Sequence, residues 1–143
     1  MLRLYLLLQV SFTEAGLIEA DTATQSSSRT DSPAENCIDG ETDGPGFAPN
    51  GTGRLCHTEA EIAPWIALHY NTPVIVRRVV LFNRVDCCGE RTKGVQVRIS
   101  DKLPRSGNEL FTGGTLFGRF DGPATNGQHI VITGQKQLSI IHR

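Results

Sequence analysis

The chain has 143 residues and a formal net charge of -1. That is enough for one domain, and too evenly charged for a protein whose main partner is nucleic acid, because phosphate binding needs a clear basic excess. No apolar run reaches the ~18 residues of a membrane-spanning helix, and fifteen glycines, seven prolines and a single methionine favour short strands joined by turns over a helical bundle.

Met1-Leu2-Arg3 leads into the apolar stretch Leu4-Tyr5-Leu6-Leu7-Leu8-Gln9-Val10-Ser11-Phe12. A basic start before a short apolar run reads as a secretory leader, residues 1–15, with cleavage after Ala15. A first β-strand is the alternative. Residues 16–143 then form one domain. Residues 22–28, rich in Thr and Ser, have the composition of an edge strand. Residues 39–54 carry Gly40, Gly44, Pro45, Gly46, Pro49, Gly51 and Gly53, which excludes strand or helix interior and predicts a long surface loop. Long ordered loops in compact domains tend to be functional. Asn50-Gly51-Thr52 within it is an N-glycosylation acceptor pattern.

Pro64-Trp65-Ile66-Ala67-Leu68-His69-Tyr70 predicts a strand with Trp65 as a core anchor. Residues 74–83 are apolar and β-branched, as a central strand requires. Val95, Val97 and Ile99 alternate with Gln96, Arg98 and Ser100, a strand with one wet face. Short strand pieces are expected at Leu110-Phe111 and at residues 117–120. Another strand is expected at residues 129–133. Gly134-Gln135-Lys136-Gln137 is then expected to turn the chain into Leu138-Ser139-Ile140-Ile141. Residues 59–62 have room for one helical turn, and no longer helix is expected. Many short strands separated by turns predict an all-β sandwich or barrel.

Four cysteines, Cys37, Cys56, Cys87 and Cys88, lack the Cys-x-x-Cys or His spacing of a zinc site. An even count fits an oxidising, secreted setting. The densest chemistry is Arg84-Val85-Asp86-Cys87-Cys88-Gly89-Glu90-Arg91, directly after the strongest strand. Adjacent cysteines can close an eight-membered ring that forces an unusual peptide geometry and makes a rigid knuckle. Two reduced thiols are the other reading, and the dipeptide alone does not decide. Arg84 and Arg91 each present a fork of donors suited to hydroxyl and ring oxygens, and Asp86 and Glu90 are placed to orient them. Without further evidence a solvated charge cluster is the preferred reading.

The string Asn83-Arg84-Val85-Asp86-Cys87-Cys88-Gly89-Glu90-Arg91 resembles the signature of the F-type lectins, the fucose-binding fucolectins. In that family a His precedes an Arg-x-Asp, and a basic residue follows after four more positions. Here 26 residues separate His57 from Arg84, and four separate Asp86 from Arg91. Ala23-Thr24-Gln25-Ser26, Asn36-Cys37-Ile38-Asp39-Gly40, Cys56 beside His57, and Pro64-Trp65 agree with the same family. The resemblance spans roughly residues 20 to 135.

The resemblance implies a discoidin-like (galactose-binding-like) jelly-roll β-sandwich. It implies a secreted, extracellular lectin that recognises terminal L-fucose on microbial or host glycans without catalysis. His57, Arg84 and Arg91 would hydrogen-bond the sugar. A Cys87–Cys88 disulfide would pack on its apolar side, Asp86 would orient an arginine, and Phe47 would meet the methyl group. It implies a structural Ca2+ whose ligand positions match Asn36, Asp39 and Glu41, the last standing where the family often has Asn. Hard oxygen donors suit that ion. Weak binding by one site would call for homo-oligomers or tandem domains.

The chain also departs from the family. Arg-Val-Asp replaces the commoner Arg-Gly-Asp. The usual terminal Leu-x-Leu-Cys-Glu-Val-x-Val is incomplete, with Ile141 at the Cys position. The family's partner for Cys56 is thus missing, together with one calcium ligand and a second disulfide. Pairing of Cys56 with Cys37 stays open. These departures predict a truncated or divergent member, one without its last strand and with an exposed sheet edge.

Two other functions fit less of the chain. A discoidin-like adhesion module that has lost fucose binding would contact protein or lipid through apolar loop residues, with Phe47, Leu103 and Phe117 as candidates. A glycosidase would need two carboxylates across the sugar, and Asp86 and Glu90 are better used as partners of the arginines.

Overall fold

The computed structural model describes residues 8–12, 16–29, 31–42, 44–105 and 107–139. Eight strands carry the fold: β1 (Leu8–Phe12), β2 (Gly16–Ile18), β3 (Thr22–Gln25), β4 (Ile66–His69), β5 (Ile75–Phe82), β6 (Val95–Ile99), β7 (Thr115–Phe120) and β8 (His129–Ser139). Two 3-10 turns, η1 (Ala34–Cys37) and η2 (Gly89–Arg91), are the helical elements among the described residues.

β5 is central, as its β-branched composition predicts. It runs antiparallel to β1 on one side and to β8 on the other, in a four-stranded sheet ordered β2-β1-β5-β8. β3 pairs with β4, and β6 with β7, in two antiparallel ribbons. The core joins Val76, Val79 and Leu81 of β5 and Ile130 and Ile132 of β8 to Val95 and Phe117 of the second ribbon. Ile66 and Leu68 of β4 pack against its margin. The molecule is therefore a β-sandwich, with the large sheet as one layer and the ribbons as the other.

The inward set of β5 changes parity midway. Val76 points inward, Arg77 and Arg78 are both exposed, and Val79 and Leu81 point inward again. The cause is an irregularity in the pairing with β8. Val76 lies opposite Leu138 and Arg78 opposite Thr133, so residues 134–137 bulge opposite Arg77. An extra length on one strand breaks the ladder at that point and increases the local twist. The turn expected at residues 134–137 is this bulge, and the chain continues as one strand to Ser139.

Other expectations need correction. Trp65 precedes β4 and is only half-buried, because it lines an open cleft and not the packed core. Residues 59–62 form no helical turn. The Ser27 hydroxyl accepts from the Glu59 N–H, and the Ser26 hydroxyl donates to the Glu61 carboxylate and accepts from the Trp65 N–H. These bonds tie residues 59–65 to the segment after β3. Leu110-Phe111 is not strand, and Leu110 is exposed. Phe117 is core at 3% exposure, so it is no loop spike.

Leu8–Phe12, part of the segment read as a leader, forms β1. The remainder of that segment, residues 1–7 and 13–15, and the C-terminal residues 140–143 lie outside the described residues.

Leu81 is fully buried, whereas Val131 of β8, opposite the core face, is 56% exposed. Leu81→Ala is expected to lower unfolding free energy by about 2–5 kcal/mol. Val131→Ala is expected to stay within about 0.5 kcal/mol. Urea denaturation of the two variants checks the assigned faces.

Candidate functional site

The strongest strand, β5, is followed directly by Asn83, a polar residue buried to 3% exposure. Its amide nitrogen donates to the carbonyls of Gly89 at 3.1 Å and Thr125 at 2.9 Å. Its amide oxygen accepts from the Thr92 hydroxyl at 3.0 Å. Asn126 Oδ1 accepts from the Gly89 N–H at 2.8 Å, and the Gly127 N–H donates to the Arg84 carbonyl at 2.8 Å. The knuckle after β5 is thereby fastened to the segment that leads into β8. Gly89 is required there, since a Cβ would lie 2.5 Å from the Asn126 nitrogen.

Arg84 and Asp86 form the centre of the site. Arg84 Nε donates to Asp86 Oδ1 at 2.7 Å and Nη2 to Oδ2 at 2.5 Å, a bidentate pair. The arginine side chain is 7% exposed and the carboxylate 38%. The hydrogen bonds from Arg84, helped by the Gly46 N–H at 3.1 Å, hold the Asp86 carboxyl well below the usual carboxylate range. The long loop closes over this pair. The Phe47 ring lies 5.8 Å from the Arg84 guanidinium carbon, in cation–π range. Gly46 makes that approach possible, because a Cβ there would sit 2.5 Å from the same carbon.

Cys87 and Cys88 are bonded to each other and half-buried. The peptide between them is trans, with Cα atoms 3.8 Å apart. The unusual geometry expected of the ring is instead taken up at Cys88, which has a left-handed φ of 64°. Cys88 caps η2, whose last residue, the half-buried Arg91, donates its backbone N–H to the Cys88 carbonyl.

The loop itself is tied at its base. Cys37 and Cys56, both fully buried, form the second disulfide, so Cys56 has a partner after all. His57 follows at once and is 3% exposed. Its ring Nδ1 lies 2.6 Å from the Thr58 carbonyl, its backbone N–H donates to Ser32, and its carbonyl accepts from Arg29. The structure thus gathers Arg84, Asp86 and Phe47, with the Cys87–Cys88 ring adjoining in the chain. His57 stands at the foot of the loop with its described hydrogen bonds directed elsewhere. The recess behind Arg84 is about 20 Å3, room for a water and not for a sugar ring, so a ligand at this clamp lies on the surface.

Among the expected metal ligands, half-buried Asn36 donates its amide N–H to the carbonyls of Gly53 and Leu55. Asp39 is exposed and accepts the Glu41 N–H at 2.9 Å, and Glu41 is exposed. No cluster of three His, Cys, Asp or Glu side chains converges among the described residues. Sequence reasoning gave no role to Asn83, Thr92 or Asn126. The one available signal was an Asn closing an otherwise apolar strand.

Residues 36–130 match the family of NedA-like, galactose-binding domains. A fucolectin of Anguilla anguilla is 29% identical over 101 residues, 67% of this chain and 61% of that protein. A pentraxin fusion protein of Xenopus laevis is 35% identical over 65 residues, 46% of this chain and 16% of that one. The chain therefore spans less than two thirds of the length of these curated relatives. The crystal structure of an F-lectin (fucolectin) from striped bass (Morone saxatilis) serum superposes with a TM-score of 0.67 at 28% identity, over 82% of this chain and 38% of that one. With its β-sandwich the chain belongs to the family of NedA-like, galactose-binding domains, and it is similar to the F-type lectins (fucolectins).

Proposed function

We propose that this chain is an extracellular lectin domain that binds a terminal fucose on glycans and leaves it chemically unchanged. The observation that carries the reading is the Arg84 guanidinium, nearly buried and fixed in plane by two hydrogen bonds to Asp86. A guanidinium fixed in this way meets sugar hydroxyls in a preset direction, with little side-chain entropy left to lose. The half-buried Cys87–Cys88 ring beside it supplies an apolar resting surface, and Phe47 walls the other side. His57 and Arg91 are assigned as further hydroxyl donors on the strength of the family likeness. Asp86 is ionised and engaged, which suits an orienting residue and not a catalytic acid. No free cysteine stands among the described residues, in keeping with an oxidising compartment.

One shallow site of this kind binds a monosaccharide at about 0.1 mM, or roughly -5.5 kcal/mol. Useful avidity then comes from several sites on an oligomer or tandem array. Arg84→Ala is expected to abolish retention on fucose-agarose. Gly46→Ala keeps the fold but displaces the guanidinium, and is expected to weaken binding by about tenfold, a loss of ~1.4 kcal/mol. Undiminished retention of folded Arg84→Ala protein refutes the assignment.

The pH profile follows from Asp86. Its folded pKa is depressed, so its stabilising bonds are fully present above the ordinary carboxylate value of about 3.9 and are lost only as pH falls towards the folded value. Fucose retention is expected to be flat from about pH 8 to about 4 and to fall below that. A midpoint near pH 6 would place control in another group.

For calcium the residues fit in kind. Asp39, Glu41 and the Asn36 amide supply hard oxygen atoms on one short segment. They fit poorly in number, being three against the roughly six to eight oxygens calcium takes. Backbone carbonyls and water would complete the set, and the ion would brace the loop base. The expected outcome is weak binding, near 1 mM, so about 5 mM calcium adds roughly 1 kcal/mol of stability. EDTA is expected to reverse the gain. Asp39→Asn, which keeps the bond to the Glu41 N–H, is expected to abolish it. Thermal melts of both proteins with and without the ion give the answer.

A further inference from the structure

The loop that closes over the clamp ends in a hairpin. Phe47 and Gly53 are bridged across it, the Ala48 N–H donates to the Thr52 carbonyl at 2.8 Å, and the Gly51 N–H donates to the Ala48 carbonyl at 2.8 Å. Pro49 and Asn50 are the central residues of the turn, and Gly51 follows with a left-handed φ of 86°. Proline early in the turn and glycine at the left-handed position are the residues that such a hairpin loop requires.

Both feet of the hairpin are fixed. The Gly46 N–H donates to Asp86 Oδ1, and Gly53 is buried so closely that a Cβ would lie 2.2 Å from the Asp31 carbonyl oxygen. The Asn36 amide donates to the Gly53 carbonyl. The tip therefore stands at a defined place beside the Arg84–Asp86 pair.

At that tip lies Asn50-Gly51-Thr52, the one Asn-x-Ser/Thr triplet in the chain. All three residues are exposed. Asn50 Oδ1 accepts from the Thr52 N–H at 3.1 Å, so the loop uses the amide oxygen and leaves the Nδ2 side to solvent. An N-linked glycan is bulky and hydrated, so the finished fold must have open space around its asparagine. A hairpin tip with three exposed residues provides it.

We propose, on the strength of the extracellular lectin reading, that Asn50 carries an N-linked glycan and that this glycan screens the clamp from large, branched ligands. In the transfer, Asn50 Nδ2 bonds to the anomeric carbon of an oligosaccharide carried on a polyprenyl diphosphate. The carbon–oxygen bond to the diphosphate breaks, the diphosphate leaves with the electron pair, and one Nδ2 proton passes to a base of the transferase. Asn50 lies no more than about 11 Å along the chain from Phe47, whose ring is 5.8 Å from the Arg84 guanidinium carbon. An oligosaccharide tethered there occupies space that the inner branches of a large glycan must enter. A single fucose between Phe47 and the Cys87–Cys88 ring stays clear of it. Discrimination then comes from a clash built against one ligand, and no contact to the other is needed.

The full chain is made in a eukaryotic cell behind an added secretory leader, so that delivery to the transferase is independent of residues 1–15. Wild-type and Thr52→Ser chains are expected to lose mass on treatment with a peptide-N-glycosidase, and Asn50→Gln and Thr52→Ala chains to keep theirs. Thr52→Ala leaves Asn50 and its backbone bond in place, which separates the modification from the residue. Retention on fucose-agarose, with elution by free L-fucose, is expected to agree within about twofold for all four chains. Binding to albumin bearing branched, fucose-tipped glycans is expected to be at least about threefold tighter without the Asn50 glycan. Loss of fucose retention by all four chains strikes at the lectin reading, whereas an unchanged wild-type mass with retention intact overturns the glycan site. A mass loss that persists in Thr52→Ala, or equal binding of the branched probe with and without the glycan, also overturns the proposal.

Discussion

A primary amide buried just after a β-strand must satisfy both its donors and its acceptor, and the Asn83 side chain does so with three residues on two segments. Gly89 on η2, Thr92 just after it and Thr125 before β8 each supply one partner. A buried polar group left unpaired costs about 1–3 kcal/mol, so these segments are fixed relative to one another as long as Asn83 stays in place. The knuckle gains its rigidity from this anchorage. Arg84 and Asp86 then inherit a defined origin, and their bidentate pair is oriented by backbone that has little freedom to move.

The two disulfides act at different scales. Cys37–Cys56 closes a loop across a sequence separation of 19, which in the chain-entropy model contributes roughly 3 kcal/mol. Cys87–Cys88 closes almost no chain, so by the same reasoning its entropic contribution is small, and its role is local shape. The first gathers the Gly/Pro-rich loop at its base; the second stiffens the surface that the loop faces. Between them Gly46 and Phe47 reach the Arg84–Asp86 pair, with Gly46 present because any side chain there would strike the guanidinium.

Much of this was legible in the sequence where the signal is local. β5, β6 and the first half of β8 follow directly from alternation and β-branching. The Arg84 to Arg91 string could be assigned because its members lie within one bend. What stayed hidden depends on distant partners. Asn83 looks like a strand end until Thr92 and Thr125 are folded against it. Pairing of Cys37 with Cys56 is a question of which buried thiols meet, and no spacing rule decides that. The consecutive Arg77 and Arg78 break the period of β5 for a reason that lies in β8, where residues 134–137 bulge. Trp65 has the composition of a core anchor, but the layer it borders is open.

That opening bears on how binding and stability are divided. The clamp hangs from the C-terminal end of β5 and the entry to β8, both in the four-stranded sheet. Neither two-stranded ribbon supplies any of its side chains. Two-stranded ribbons are marginal by themselves, and here they are held by packing Val95, Phe117 and the β4 side chains onto the large sheet. Local opening should therefore begin in the ribbons, at lower free energy than opening of β5. The cleft between β4 and β6 lies in the layer that the Arg84–Asp86 clamp does not use. Arg84, Asp86 and the vicinal disulfide are thus held in register from the large sheet and the segment that leads into β8.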